Sequence, residues 1–360
     1  MTAIWTPDHL AAIARAPLPE LPVIDATAVQ PILPGVDLWD FWPVQTRDGS
    51  VARIGDGTLW LVLSAVAAGD PVERHSQARL RLLHRTAAGW RDLGPVFAEG
   101  SSPGSREWSG STIYDPDSRE LTLFFTAAGR RDGPFSYEQR LFEAQASVSG
   151  AAVGAWSAPR EIAANDGRHY VVVTMAEGGP GTIKAYRDPG YFRDPADDAE
   201  YLLFAGSLAG STSLFNGCIG MARRDGDAWQ LQSPLLAADD ISNELERPHI
   251  VRHQGLYYLF WSTQGSVFAP GLVAPSGLYG MVSSALAGPW TPLNGSGLVL
   301  CNPGVAPMQA FSWLVLDDLS VVSFIDQIGP GRAGFGGTMA PIAQLVLAGD
   351  RAQLAGMIDA

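Results

Sequence analysis

At 360 residues the chain is long enough to bury a large core, and with 46% hydrophobic against 17% charged residues it is globular rather than disordered. Its 24 Lys and Arg against 37 Asp and Glu leave a formal net charge of −13, which argues against a nucleic-acid partner and suits a neutral small-molecule substrate. No run of 18 uninterrupted apolar residues predicts a membrane span, and the opening MTAIWTPDHLAAIARAPLPE has no basic segment followed by an apolar run, so no signal peptide is read and the chain is expected in the cytoplasm or exported by a leaderless route.

Residues 1–35 read as an arm, with a helical turn or two over Asp8–Arg15 that Pro17, Pro19 and Pro22 stop. Beyond the arm the chain is rich in turn residues, 40 Gly and 26 Pro, as many short strands require. One pattern recurs five times: a turn or acidic residue, then a short β-rich run. The copies are Gly57–Leu63, Glu120–Thr126, Glu200–Gly206, Gly255–Trp261 and Leu319–Ile325. They stand about 56 to 80 residues apart, room for four short strands and their loops, which predicts an all-β, five-bladed β-propeller over residues 36–350. A β-sandwich with irregular insertions is the alternative that the pattern leaves open.

A polar or aromatic cluster precedes each run: Trp39-Asp40, Glu107-Trp108-Ser109-Gly110, Arg187-Asp188-Pro189, Glu244-Leu245-Glu246-Arg247-Pro248 and Ser312-Trp313. In a propeller the innermost strands surround one channel, so these clusters converge on a single pocket. Asp40 lies between Trp39 and Trp42, rings that can face a sugar and keep water from the carboxylate; a turn aspartate bound to backbone amides is the plainer reading. Asp188 sits in Arg187-Asp188-Pro189, and Arg193-Asp194-Pro195 repeats the tripeptide at once, so ordinary ion pairs are the competing explanation. Strand alternation puts Glu244 and Glu246 on one face and Leu245 on the other. Two neighbouring carboxylates tend to share one proton at a raised pKa, which a general acid needs, although a solvated edge strand gives the same pattern. Three carboxylates with aromatic neighbours suit retaining glycoside chemistry: a nucleophile, an acid/base, and a third that binds hydroxyls.

Other chemistries find less support. The histidines are scattered, and no CxxC, HExxH or phosphate-binding glycine loop occurs; Gly334-Phe335-Gly336-Gly337 lacks the lysine of such a loop. Neither a metal nor a cofactor is expected. Cys218 and Cys301 read as reduced core residues.

The segments LWDFWPV (38–44), EWSGSTI (107–113), YRDPGYF (186–192), ERPHIV (246–251), GLYGMV (277–282), NGSGLVL (294–300) and GGTMAP (336–341) resemble, in order, those of glycoside hydrolase family 68: levansucrases, inulosucrases and related β-fructofuranosidases. The resemblance covers most of the chain and is nearer the Gram-negative branch. It implies a five-bladed propeller that cleaves sucrose, releases glucose and passes fructose to water or a sugar acceptor. It further implies Asp40 as nucleophile, Asp188 as transition-state stabiliser and Glu246 as general acid/base. Trp39, Trp108, Ser109, Arg187, Glu244 and Arg247 would shape the subsites, and Asp194, outside the motif register, is read as structural. Gln264 stands where the family usually carries Arg or His, and Phe311-Ser312-Trp313 replaces its Tyr-Ser-His. Both changes are expected on the acceptor side, favouring short products over polymer. A hydrolase of another β-fructoside and a catalytically silent sugar-binding propeller are the other readings. Oligomeric state and linkage type are not legible.

Overall fold

The computed structural model describes residues 2–174, 182–328 and 334–358. Five sheets, each with five strands, make five blades. The innermost strands are Val36–Pro43, Arg106–Asp115, Tyr186–Arg193, Glu246–His253 and Ala310–Val315 for blades I to V. Each pairs antiparallel with a second strand: Gly57–Val66, Glu120–Ala128, Glu200–Ser207, Leu256–Thr263 and Ser320–Gln327. These second strands coincide with the five recurring runs, and the clusters upstream fall in or just before the innermost strands. A second strand is covered on both faces, so it reads as a continuous apolar run rather than an alternating one. In Gly57–Val66 only Thr58 and Val66 are not buried.

Every innermost strand carries a register shift against its neighbour: Trp39/Trp42, Trp108/Gly110, Arg187/Gly190, Glu246/His249 and Phe311/Leu314. Each is a β-bulge that inserts one residue and re-aims the side chains next to it. In four blades the bulge holds a non-glycine residue at positive φ: Asp40 (53°), Asp188 (62°), Arg247 (49°) and Ser312 (63°). Such backbone is costly for L-residues and persists only where the surroundings enforce it. Here the partners are visible. The Arg247 guanidinium donates to the Ser312 carbonyl (2.8 Å) and hydroxyl (2.9 Å) and to the Phe41 carbonyl (2.8 Å), tying together the bulges of blades IV, V and I. The backbone N–H of Arg247 donates to Asp188 Oδ2 at 3.2 Å, and that of Asp188 to Thr126 Oγ1 at 2.9 Å. Beside the bulge of blade III, a Cβ on Gly190 would stand 2.5 Å from the Pro248 carbonyl oxygen, so only glycine lets blades III and IV approach there.

Residues 2–35 run along the outside of the ring. Ala3–Ile4 pairs parallel with Ala228–Asp239 at the edge of blade III. Trp5 is fully buried against Trp261 and Tyr279 of blade IV, with ring centroids 5.3 and 5.0 Å away, and its Nε1 donates to the Ser296 carbonyl. A helix covers Pro7–Ile13. Leu21 N–H then donates to the Cys301 carbonyl, Ile24 N–H to Gln309 Oε1, and the Thr338 hydroxyl to the Gln30 carbonyl. Cys218 and Cys301 are both buried and unbonded. Among the described residues no helix is long and apolar enough to cross a membrane.

Candidate active site

The bulges open on a cavity of about 400 Å³ at one end of the channel. Asp40, Asp188 and Glu246 all line it, from blades I, III and IV, together with Trp39, Trp108, Ser109, Arg187, Glu244 and Gln264. Asp40 and Asp188 are the left-handed bulge residues of their strands, whereas Glu246 comes one position earlier, opposite Ser262. A larger, open cavity of about 940 Å³ lies between blades I and II, but Arg91 is the one charged side chain on it, so it offers no acid–base pair.

The three carboxylates have different surroundings. The Ser109 hydroxyl donates to Asp40 Oδ2, and the Ser109 carbonyl is itself held by Thr126 Oγ1. A carboxylate that accepts such a bond has its lone pairs oriented before a substrate arrives. Asp188 is buried, and burial pushes its pKa up to about 6 although Arg187 pulls it down. Glu246 is raised well above the usual carboxylate range, by burial first and by Glu244 beside it, with Arg187 opposing. Arg187 Nη2 reaches Glu244 Oε2 at 3.1 Å and Glu246 Oε1 at 3.2 Å. Burial works against the charge of Arg187, but Glu244, Glu246 and Asp188 outweigh it and hold its proton more tightly than usual. The site therefore sets a carboxyl that burial biases strongly toward its protonated form, Glu246, among carboxyl groups in different surroundings, the kind of asymmetry that acid/base catalysis uses.

Glu244 and Glu246 share the cavity as the alternation predicts, with Leu245 buried between them, although the strand begins only at Glu246. Trp39, 2% exposed, forms the inner wall. Gln264 precedes the short 3-10 turn Gly265–Val267 and also lines the cavity. Arg247 lies beneath, in a small adjoining cavity that Asp188 also lines, so it meets the site through Asp188 and the bulge carbonyls. Asp194 follows the end of the strand Tyr186–Arg193, where it accepts from the Tyr257 hydroxyl and the Ala196 N–H. The expectation for Trp313 needs correction: its ring is 1% exposed, packs edge-on against Phe311 in the core and does not line the cavity, whereas Phe311 does.

Several lining residues lie outside the sequence expectations. Arg74, from the short helix Arg74–Gln77, has its guanidinium 5.6 Å from the Trp39 ring and pairs with Asp326 at 3.5 Å. Burial raises the Asp326 carboxyl, with Arg74 opposing. Arg106, Phe135 and Tyr137 form another wall. Asp326 directly follows the fifth recurring run and was open to recognition on that ground; Arg74 and Phe135, on connections between strands, carry no periodic signal.

The family model described as Levansucrase/Invertase matches residues 2–214 and 210–358. A levansucrase of Rahnella aquatilis is 31% identical, the match covering 99% of this chain and 95% of that protein. Levansucrase LscA of Pseudomonas savastanoi pv. glycinea is also 31% identical, over 92% of this chain and 87% of its own. Among solved structures, the inulosucrase from Halalkalicoccus jeotgali bound to kestose superposes with a TM-score of 0.90 at 36% identity, covering 100% of this chain and 96% of that one.

Proposed function

The chain belongs to glycoside hydrolase family 68, the levansucrase/invertase family, and from that premise we propose that it transfers fructosyl groups from sucrose with retention, through Asp40, Asp188 and Glu246. The observation that carries this reading is the meeting in one cavity of three carboxyl groups from three blades, with burial raising Glu246 well above the usual carboxylate range and Asp188 to about 6.

Asp40 attacks the anomeric carbon of the fructosyl unit while Glu246 gives its proton to the bridging oxygen, so glucose leaves neutral and a fructosyl ester of Asp40 forms. Glu246, now anionic, takes a proton from water or an acceptor hydroxyl. That oxygen attacks the same carbon, and Asp40 departs as carboxylate. Asp188 faces the positive charge that develops on the ring and accepts from its hydroxyls. Ser109 orients Asp40, and Arg187 with Glu244 tunes the proton on Glu246. Trp39 and Trp108 wall the sugar subsites, and Arg247 acts as a positioning residue that holds the Asp188 bulge. Residues 36–350 serve as one catalytic domain, with 1–35 as an arm upon it. Because Gln264 offers a neutral amide in the place of the family's usual Arg or His, water and short acceptors compete well and short products outweigh polymer.

The test is glucose release from sucrose by the purified protein. Rapid release that Asp40→Asn abolishes supports the reading; no release from sucrose, or release from another β-fructoside alone, overturns it.

A further inference from the structure

Arg106 begins the innermost strand of blade II and is 1% exposed, yet among the described residues no carboxylate stands within ion-pair distance of it. Burial accordingly lowers its pKa. An unpaired buried cation is costly unless other groups solvate it. Two polar partners do so in part: Arg106 donates to the Ser136 carbonyl at 2.7 Å and to the Ser105 hydroxyl at 3.1 Å. The rest comes from three aromatic rings, Phe135 at 4.6 Å, Trp108 at 5.2 Å and Tyr137 at 5.7 Å from the guanidinium carbon. All three rings and Arg106 line the cavity.

Phe135 differs from its companions because it is 51% exposed. A single exposed apolar side chain is ordinary on a protein surface. This one is held on two sides, by the guanidinium and by Tyr137, whose ring meets it edge-on at 5.3 Å and 86°. An aromatic face fixed in advance, at the mouth of a site that handles sugars, meets the requirement for stacking a sugar ring at low ordering cost. The deeper wall is Trp39, so the fructosyl unit occupies the interior and the ring that reaches Phe135 lies outside it.

We propose that Phe135, backed by Arg106, is a platform for the acceptor sugar and sets how the fructosyl-enzyme divides between sugar and water. The proposal rests on the fructosyl-transfer reading. It names the acceptor class as a neutral saccharide with an apolar ring face, and one platform holds one ring, in keeping with short products.

The test measures free fructose against free glucose during turnover of concentrated sucrose by the parent and by Phe135→Ala, Phe135→Leu and Phe135→Tyr. Glucose counts every cleavage and free fructose counts transfer to water, so the ratio is independent of overall rate. Phe135→Ala and Phe135→Leu should lower the sugar-to-water partition about threefold or more, since a stacking contact is worth roughly a kcal/mol. Phe135→Tyr should restore it. An unchanged partition in Phe135→Ala and Phe135→Leu overturns the proposal, as does a loss in Phe135→Tyr equal to theirs. A parent that releases no glucose from sucrose would overturn the underlying reading instead, a result distinct from a fixed partition.

Discussion

Arg187 Nη2 lies 3.2 Å from Glu246 Oε1 and, with the same nitrogen, 3.1 Å from Glu244 Oε2. One cation therefore serves two carboxyl groups, and Glu246 remains raised because burial and Glu244 outweigh it. The consequence is a pH profile with two limbs. Below about 6 Asp188 takes up a proton and its stabilising charge is lost, so kcat/KM on sucrose falls on the acid side. As pH rises through the raised pKa of Glu246 the general acid loses its proton, so kcat/KM falls on the basic side. Glu244→Gln removes the like charge and should move the basic limb to lower pH. A limb that stays in place in this variant would show that Glu244 does not tune the acid; because the groups interact, the limbs belong to the set as a whole.

Asp40→Asn keeps the shape of the side chain and still accepts from the Ser109 hydroxyl through its amide oxygen, but it removes the nucleophile. Turnover of sucrose should drop by several orders of magnitude while thermal unfolding changes little. Steady-state kinetics beside a melting curve checks both, and near-normal turnover by a folded variant would refute the assignment.

Glu246→Gln separates protonation from binding. The glucose unit of sucrose is a poor leaving group unless its oxygen is protonated, whereas an acidic phenol leaves from a fructoside without that proton. The variant should therefore lose far more activity on sucrose than on the phenyl fructoside; equal losses would mean that Glu246 only positions the sugar.

Gln264→Arg and Gln264→His restore a charged or directional donor on the cavity wall. Product chromatography from concentrated sucrose should shift toward longer chains in these variants. Abundant high-mass fructan from the parent would contradict the role given to Gln264, and identical products from all three proteins would assign chain length elsewhere.

Trp5→Ala removes a fully buried ring that packs on Trp261, Phe268 and Tyr279, together with the bond to the Ser296 carbonyl. Loss of a large core aromatic costs about 3–5 kcal/mol. The urea midpoint should fall accordingly, whereas KM for sucrose should hold because Trp5 lies outside the cavity. A midpoint equal to the parent's would mean that the arm adds nothing to the ring.

The carboxylates are legible in the sequence because each sits in a short motif just ahead of an apolar run, and the runs prove to be the second strand of each blade. Trp313 shows where that legibility ends. Counting by twos from Phe311 puts it on the cavity side, but the register shift between Phe311 and Leu314 breaks the count and the ring turns into the core. Bulges leave no periodic trace, so alternation fails at the strand positions that carry function. Arg74 and Phe135 are hidden for another reason: they stand on connections between strands, where only the fold determines which loop faces the channel.

The arm meets its partners in chain order: Ala3 with Leu236, Trp5 with Ser296, Leu21 with Cys301, Ile24 with Gln309 and Gln30 with Thr338. Each contact spans more than 230 residues, so during synthesis the arm is complete long before anything exists for it to grip. Its partners become available only as blades III, IV and V are made, in the order in which the arm meets them. The active cavity draws on all five blades, so its assembly likewise waits for the residues of blade V.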